Sequence, residues 1–360
     1  MKHVYNFAPG PALLPQEVMV KAKEEFLDWN ELGLSVMEVS HRSKDFLELA
    51  ELAEKNLRIL LEIPNNYKVL FLQGGATLQF AAIPLNIAKP DSVADYLITG
   101  SWGKKSADEA KSYVNVNIVA DAENTSYTTV PEFDNWKLSD NASYFHYTPN
   151  ETIAGVEITE IPNNINAPIV ADMSSTILSR PIDVNKYGLI YAGAQKNIGP
   201  SGLTIVIVRD DLILNPSSIT PSVINYKLMS ETGSMWNTPP TFSWYMAGLV
   251  LDWISKKGGL HSIEKSNLLK SRKIYNFIDS SEFYINKVNK HYRSRTNIPF
   301  TLSNPELDSL FLSEAAEEGL VNLKGHRSVG GMRASIYNAM PEAGVDKLVS
   351  FMKQFESQHE

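Results

Sequence analysis

Short apolar runs bounded by glycine or polar residues alternate along this chain with longer stretches in which apolar residues recur every three or four positions. The first period predicts buried strands and the second amphipathic helices. Runs at 67–73, 96–99, 114–119, 142–147, 167–171, 188–194 and 203–208 read as strands. Helices are predicted over 16–29, over 44–63 with Phe46, Leu47, Leu49, Leu52, Leu57, Leu60 and Leu61 at helical spacing, over 74–88 and over 242–257. Residues 35–43 read as an extended segment, and Asn6–Pro15, with three prolines and a glycine, as a loop. The link before residue 203 is too short for a crossover, so that strand pairs antiparallel with its predecessor. Beyond Lys256-Lys-Gly-Gly259 the pattern changes to helix (260–279), strands near 283–288 and 298–302, helix (307–319), a strand and a last helix (341–356). This predicts an α/β fold in three parts: an N-terminal loop segment (1–15), a large domain (16–258) and a small α+β C-terminal domain (259–360).

The polar residues at the strand ends are the candidate chemistry, because open α/β sheets bind ligands where their strands leave the core. The run ending at Ala171 delivers Asp172, and the run ending at Ala194 delivers Gln195 and Lys196. A lysine desolvated at the rim of a sheet has a lowered pKa and an amine free to attack a carbonyl. An acid at the neighbouring strand end can hold the ring nitrogen of pyridoxal phosphate protonated. Each residue alone reads equally as a helix cap or a solvated lysine. The strand at 67–73 opens into Gly74-Gly75-Ala76-Thr77 at a helix start, where free N–H groups and the helix dipole favour phosphate. Trp102 stands between two glycines just past another strand end, free to stack on a flat ring or to fill the core under a loop. Thr148–Thr152 is a further polar strand end, Asn237 and Thr238 lie in a polar loop, and two basic pairs occur at His41-Arg42 and His326-Arg327 near Arg333. Arginine in a glycine-rich loop suits bidentate recognition of carboxylate or phosphate.

Composition narrows the class. With 43% hydrophobic and 21% charged residues the chain reads as soluble and globular, and its net charge of −8 argues against a nucleic-acid partner. No apolar run reaches the length that spans a bilayer, and the N-terminus lacks the pattern of a secretory signal. The absence of cysteine excludes disulfides, thiolate metal sites and cysteine nucleophiles and points to a reducing cytoplasm; the seven histidines show no metal-ligand spacing, so no metal is expected.

The segments NFAPGPALLP, MEVSHRS, FLQGGATLQF, TGSWGKK, TPNETIAG, ADMSS, YAGAQKNIGPSG, MWNTPPT and GHRSVGGMRASIYNA, in that order from residue 6 to about 339, resemble the class V aminotransferases among the fold-type I pyridoxal-phosphate enzymes. The resemblance is to those members that move an amino group between glutamate and 3-phosphohydroxypyruvate to give phosphoserine and 2-oxoglutarate, with serine synthesis as the setting. Some also act on phosphorylated hydroxythreonine. It implies a large domain with a mostly parallel seven-stranded sheet flanked by helices, pyridoxal phosphate as cofactor, ping-pong kinetics and a homodimer with active sites at the subunit interface.

By position, Lys196 resembles the Schiff-base lysine, Asp172 the partner of the pyridinium nitrogen, Trp102 the residue stacked on the ring and Thr152 the donor to its phenolic oxygen. Gly75, Ala76, Thr77 and Gln195 match the phosphate-binding set, joined by Asn237 and Thr238 from the second subunit. Arg333 would hold the substrate α-carboxylate, and His41, Arg42, His326 and Arg327 the distal phosphate or γ-carboxylate. Pro9 departs from relatives that often carry Ala or Ser there, which leaves backbone contacts to that loop. Three other activities are weighed against this one: an alanine–glyoxylate-type aminotransferase, which has no need of the two His-Arg pairs, a desulfurase, which needs a cysteine, and a non-catalytic phospho-ligand binder.

Overall fold

A computed structural model of the chain describes residues 4–161, 165–213 and 215–359. Seven strands form one sheet: β1 (Tyr67–Gln73), β2 (Val93–Ile98), β3 (Asn115–Asp121), β4 (Phe145–Tyr147), β5 (Ile169–Asp172), β6 (Leu189–Gly193) and β7 (Leu203–Arg209). Their order is β1-β7-β6-β5-β4-β2-β3, with β7 antiparallel to both neighbours and every other pair parallel. Six strands therefore run in one direction, and their carboxyl ends share one edge of the sheet. The reversed strand follows β6 after only a short turn, which cannot make a crossover.

Both faces of the sheet are apolar, as strands covered on two sides must be. In β1, Val69 and Phe71 enter one core while Leu70 and Leu72 enter the other, and in β7 Ile205 and Ile207 alternate in the same way with Val206 and Val208. The helices that cover these faces are α1 (Gln16–Glu24), α2 (Lys44–Leu61), α3 (Gly75–Ile87), α4 (Ser101–Ala110), α5 (Tyr226–Glu231) and α6 (Thr241–Lys256). Phe46 and Ala53 of α2 and Val250 and Leu251 of α6 join the first core, and Phe80 and Ile83 of α3 and Ala107 of α4 join the second.

The rest of the chain forms α7 (Gly259–Ser280), β8 (Tyr284–Ile285), β9 (Asn297–Leu302), α8 (Asp308–Glu317), β10 (Met332–Ser335) and α9 (Glu342–His359), with β8-β9-β10 as an antiparallel sheet. A third core of Ile274, Phe300, Phe311, Leu348 and Phe355 belongs to this part and also takes in Phe7. Helix α7 ties the parts together, since its Leu260 and Ile263 enter the first core and its Ile274 and Ile278 the third. Tyr5–Asn6 pairs parallel with Leu320–Val321, and the loop then crosses to the sheet edge, where the Ala12 N–H donates to the Gln195 carbonyl at 2.9 Å. No helix among the described residues is long and apolar enough to cross a membrane.

Three predicted elements are corrected. The first helix stops at Glu24 rather than 29; Phe26 and Leu27 beyond it are exposed, and the chain turns at Asn30 and Glu31, both with positive φ. Residues 35–43 are turns, not extended chain, with Glu38 N–H bonded to Ser35 O and Ser43 N–H to Ser40 O. The strand expected over 142–147 is confined to Phe145–Tyr147.

Candidate active site

The carboxyl edge of the sheet brings one set of side chains together. A cavity there is lined by Gly75, Ala76, Thr77, Trp102, Thr148, Asn150, Thr152, Asp172, Ser174, Gln195 and Lys196 among others. A larger cavity of about 960 Å³ lies between the N-terminal segment, α1 and α7. Its lining has no lysine buried beside a carboxylate, so chemistry rather than size identifies the site.

Lys196 follows β6 and is 9% exposed. Its Nζ donates to Thr152 Oγ1 at 2.6 Å, a contact that fixes the amine at the cavity wall. Burial pulls the amine down from the usual 10.5 to about 8, against the pull of Asp172 and Glu151, which favour its charge; Arg333 adds to the lowering. Asp172 ends β5, and burial raises its carboxyl above the ordinary value. The hydroxyl and the N–H of Ser174 donate to the same oxygen, Oδ1, at 2.6 and 3.0 Å, which leaves Oδ2 as the oxygen available to a ligand.

The phosphate-like end of the cavity is the start of α3. Gly74 and Gly75 both take positive φ, a conformation costly for residues with a Cβ, and the helix has no side-chain cap. Its first N–H groups are thus open to an anion. Trp102 lies in the first turn of α4, its Nε1 is buried without a partner, and Lys105 Nζ stands 4.5 Å from the ring centroid. Thr148 Oγ1 is likewise buried and unpartnered. An uncapped helix end, an indole, the unpartnered Trp102 Nε1 and Thr148 Oγ1, a buried carboxylate and a desolvated amine are groups whose chemistry suits pyridoxal phosphate.

Arg333 projects from β10, is 6% exposed, and forms no ion pair among the described residues. Its Nη1 donates to Thr152 O at 3.3 Å while Nε has no partner. A buried guanidinium without a carboxylate is a ready acceptor of one. His326 and Arg327 lie on the loop before β10; burial, together with Arg333, Arg327 and Lys105, holds the His326 imidazole below its ordinary value. Its Nδ1 lies 2.7 Å from Ser328 Oγ.

Other expected residues lie apart. His41 and Arg42 line a different cavity with Phe71, Thr232–Met235 and Trp244. Asn237 and Thr238 are on the adjoining loop, where Asn237 Nδ2 bonds Thr238 O at 3.4 Å, and neither lines the Lys196 cavity. Pro9 contributes its carbonyl, which accepts from Tyr337 Oη at 2.8 Å.

Two residues that sequence reasoning missed belong to the site. Glu151, between Asn150 and Thr152, is fully buried, and its carboxylate accepts from the N–H groups of Trp102 and Gly103. Lys105 adds a third cation, with Arg327 and Arg333, around His326. The signal for the first was the density of polar residues in Thr148–Thr152, and for the second the Lys104-Lys105 pair after Trp102.

Comparison with known proteins identifies the family. The family model "Aminotransferase class-V" matches residues 4–348. A phosphoserine aminotransferase of Hahella chejuensis is 55% identical over 98% of this chain and 97% of its own length. The solved phosphoserine aminotransferase of Bacillus circulans subsp. alkalophilus superposes with a TM-score of 0.97 at 45% identity, covering 99% of each chain. A PLP-bound phosphoserine aminotransferase from Trichomonas vaginalis superposes with a TM-score of 0.94 at 43% identity, covering 98% of this chain and 100% of that one. Family model, near-full-length relatives and fold agree, and the chain belongs to the class V aminotransferases.

Proposed function

We propose that this chain uses pyridoxal phosphate to move an amino group reversibly between glutamate and 3-phosphohydroxypyruvate, giving phosphoserine and 2-oxoglutarate in serine biosynthesis. The observation that carries this reading is Lys196, a buried amine held down to about 8, bonded to Thr152 and beside the carboxylate of Asp172. The family and the names of its near-full-length relatives supply the substrate class.

When bound, the cofactor supplies an aldehyde that condenses with amines and a ring that draws electrons from the substrate Cα–H bond. Lys196 would hold the cofactor and, with its Nζ free, would carry the Cα proton. The Asp172 carboxylate would keep the ring nitrogen protonated, with Ser174 orienting it through Oδ1. Gly75, Ala76 and Thr77 at the start of α3 would hold the cofactor phosphate together with Gln195, and Trp102 would stack on the ring; all line the Lys196 cavity. Thr152, already within 2.6 Å of Lys196 Nζ, donates to the ring oxygen. Arg333 takes the α-carboxylate, and His326 and Arg327 the distal anion. A guanidinium keeps its charge while an imidazole adjusts, so one cluster accepts both a phosphate and a carboxylate.

We propose a homodimer as the working unit, in a reducing cytoplasm. His41, Arg42, Asn237 and Thr238 would complete the partner's site, and what supports this is that His41 and Arg42 line a cavity apart from Lys196, while Asn237 and Thr238 lie outside the Lys196 cavity on the loop that follows that cavity's Thr232–Met235 wall. Met37 and Trp236, 47% and 46% exposed beside them, offer apolar surface for a second copy to cover. An alanine–glyoxylate-type activity is the second reading, and it leaves the cations of the two His-Arg pairs without a task.

The test is a half-reaction. The yellow holoenzyme is mixed with phosphoserine alone and, separately, with alanine alone, and its visible absorbance is followed. The band bleaches rapidly with phosphoserine on this reading; faster bleaching with alanine would transfer the assignment to the second reading.

A further inference from the structure

Asn150, Glu151 and Thr152 follow one another just past β4 and bind three different parts of the molecule. Asn150 Nδ2 donates to Ser175 Oγ at 2.9 Å and to Asn297 Oδ1 of β9 at 2.8 Å, and Thr152 accepts from Lys196. Between them Glu151 is 0% exposed and forms no ion pair among the described residues. Its Oε1 accepts from the Gly103 N–H at 2.8 Å and its Oε2 from the Trp102 N–H at 3.1 Å.

These N–H groups belong to the first turn of α4, whose N-cap is Gly100 and which has no side-chain cap of its own. The carboxylate thus caps the helix from another strand. A Cβ on Gly100 would stand 2.5 Å from Glu151 Cδ, so this N-cap position must be bare for the carboxylate to enter. Capping alone calls for nothing so elaborate, because Ser, Thr, Asp or Asn at position 100 would cap locally without burying a charge. Burial pushes the Glu151 carboxyl up to about 7, and the Gly103 and Trp102 N–H groups oppose the rise. What the arrangement adds is a rigid link from the residue next to the Lys196 partner to the main chain of Trp102.

We propose that Glu151 is a positioning residue of the reaction: by gripping the Trp102 and Gly103 amides it sets how the indole enters the cavity shared with Asp172 and Lys196, and so how the indole stacks on the cofactor ring. This rests on the proposed role of Trp102 as the stacking residue.

The experiment is a double-mutant cycle on the holoenzyme with Glu151→Gln, Trp102→Ala and the pair. Pyridoxal phosphate is the probe, read by its dissociation constant and by the visible circular dichroism of the bound cofactor. Glu151→Gln weakens cofactor binding about tenfold, the weight of one charge-assisted hydrogen bond, and alters the visible dichroism. The double variant binds no more weakly than Trp102→Ala alone, because Glu151 acts through the indole. A Glu151→Gln enzyme with wild-type affinity and dichroism overturns the proposal, and so do losses that multiply in the double variant. If Trp102→Ala alone binds like the wild type, the stacking reading falls and this proposal with it; multiplying losses overturn only the role of Glu151. Should Glu151→Gln fail to fold, Gly100→Ala, which displaces the carboxylate by contact, takes its place in the cycle with the same expected and overturning results.

Discussion

Lys196 destabilises the protein it serves, and replacing it with methionine should reveal by how much. Burial lowers the amine from 10.5 to about 8. At about 1.4 kcal/mol per pKa unit, that displacement corresponds to about 3 kcal/mol lost by the folded state when the amine is protonated. Because the folded value lies below the unfolded one, the loss is complete below about pH 8 and vanishes as pH rises through 10.5, where the unfolded chain also gives up its proton. Methionine has nearly the same length, carries no charge and suits an irregular cavity wall. The assay is denaturant unfolding of the cofactor-free proteins at fixed protein concentration, at pH 7 and pH 10, because a dimer's stability depends on concentration. Lys196→Met is expected to be more stable than wild type by about 3 kcal/mol at pH 7 and by less than about 1 kcal/mol at pH 10, while having no transaminase activity. Wild type equal or superior in stability at pH 7, or a gap that does not shrink with pH, would refute the idea of a strained amine.

Asp172→Asn removes the charge that holds the ring nitrogen protonated and should lower kcat by about 100-fold or more, with the fold intact by far-ultraviolet dichroism. Arg327→Ala should raise KM for phosphoserine far more than it lowers the thermal midpoint, since Arg327 is exposed and forms no ion pair among the described residues; a large drop in midpoint with unchanged KM would contradict the distal-anion role. Mixing inactive Lys196→Ala with inactive Arg42→Ala and refolding them together should restore activity, because one site of each mixed dimer is then intact; no recovery would place Arg42 in the same subunit's site.

The parts of this account that could be read from the sequence are those where local pattern and burial coincide. Strand β1 begins and ends where its apolar run does, and Asp172, Gln195 and Lys196 fall at strand ends because the chain must leave the core there. Where burial arises from contacts distant in sequence, the pattern misleads. The helix expected to run to 29 ends at Glu24, and Phe26 and Leu27 beyond it are exposed. Residues 35–43 read as extended chain, but Val36 and Val39 are buried from a run of turns. Glu151 was hidden for a different reason: a carboxylate whose partners are main-chain N–H groups of α4 leaves no charged partner to find by spacing. The separation of His41 and Arg42 from Lys196 was equally invisible, because nothing near either segment encodes which cavity it lines.

The central claim is that one buried amine, at position 196, bonds covalently to the cofactor. Reducing the yellow holoenzyme with borohydride, digesting it and mapping the labelled peptide by mass spectrometry tests this directly. The account predicts the pyridoxyl group on Lys196 alone; label on any other lysine, or none on the peptide containing Lys196, would contradict it.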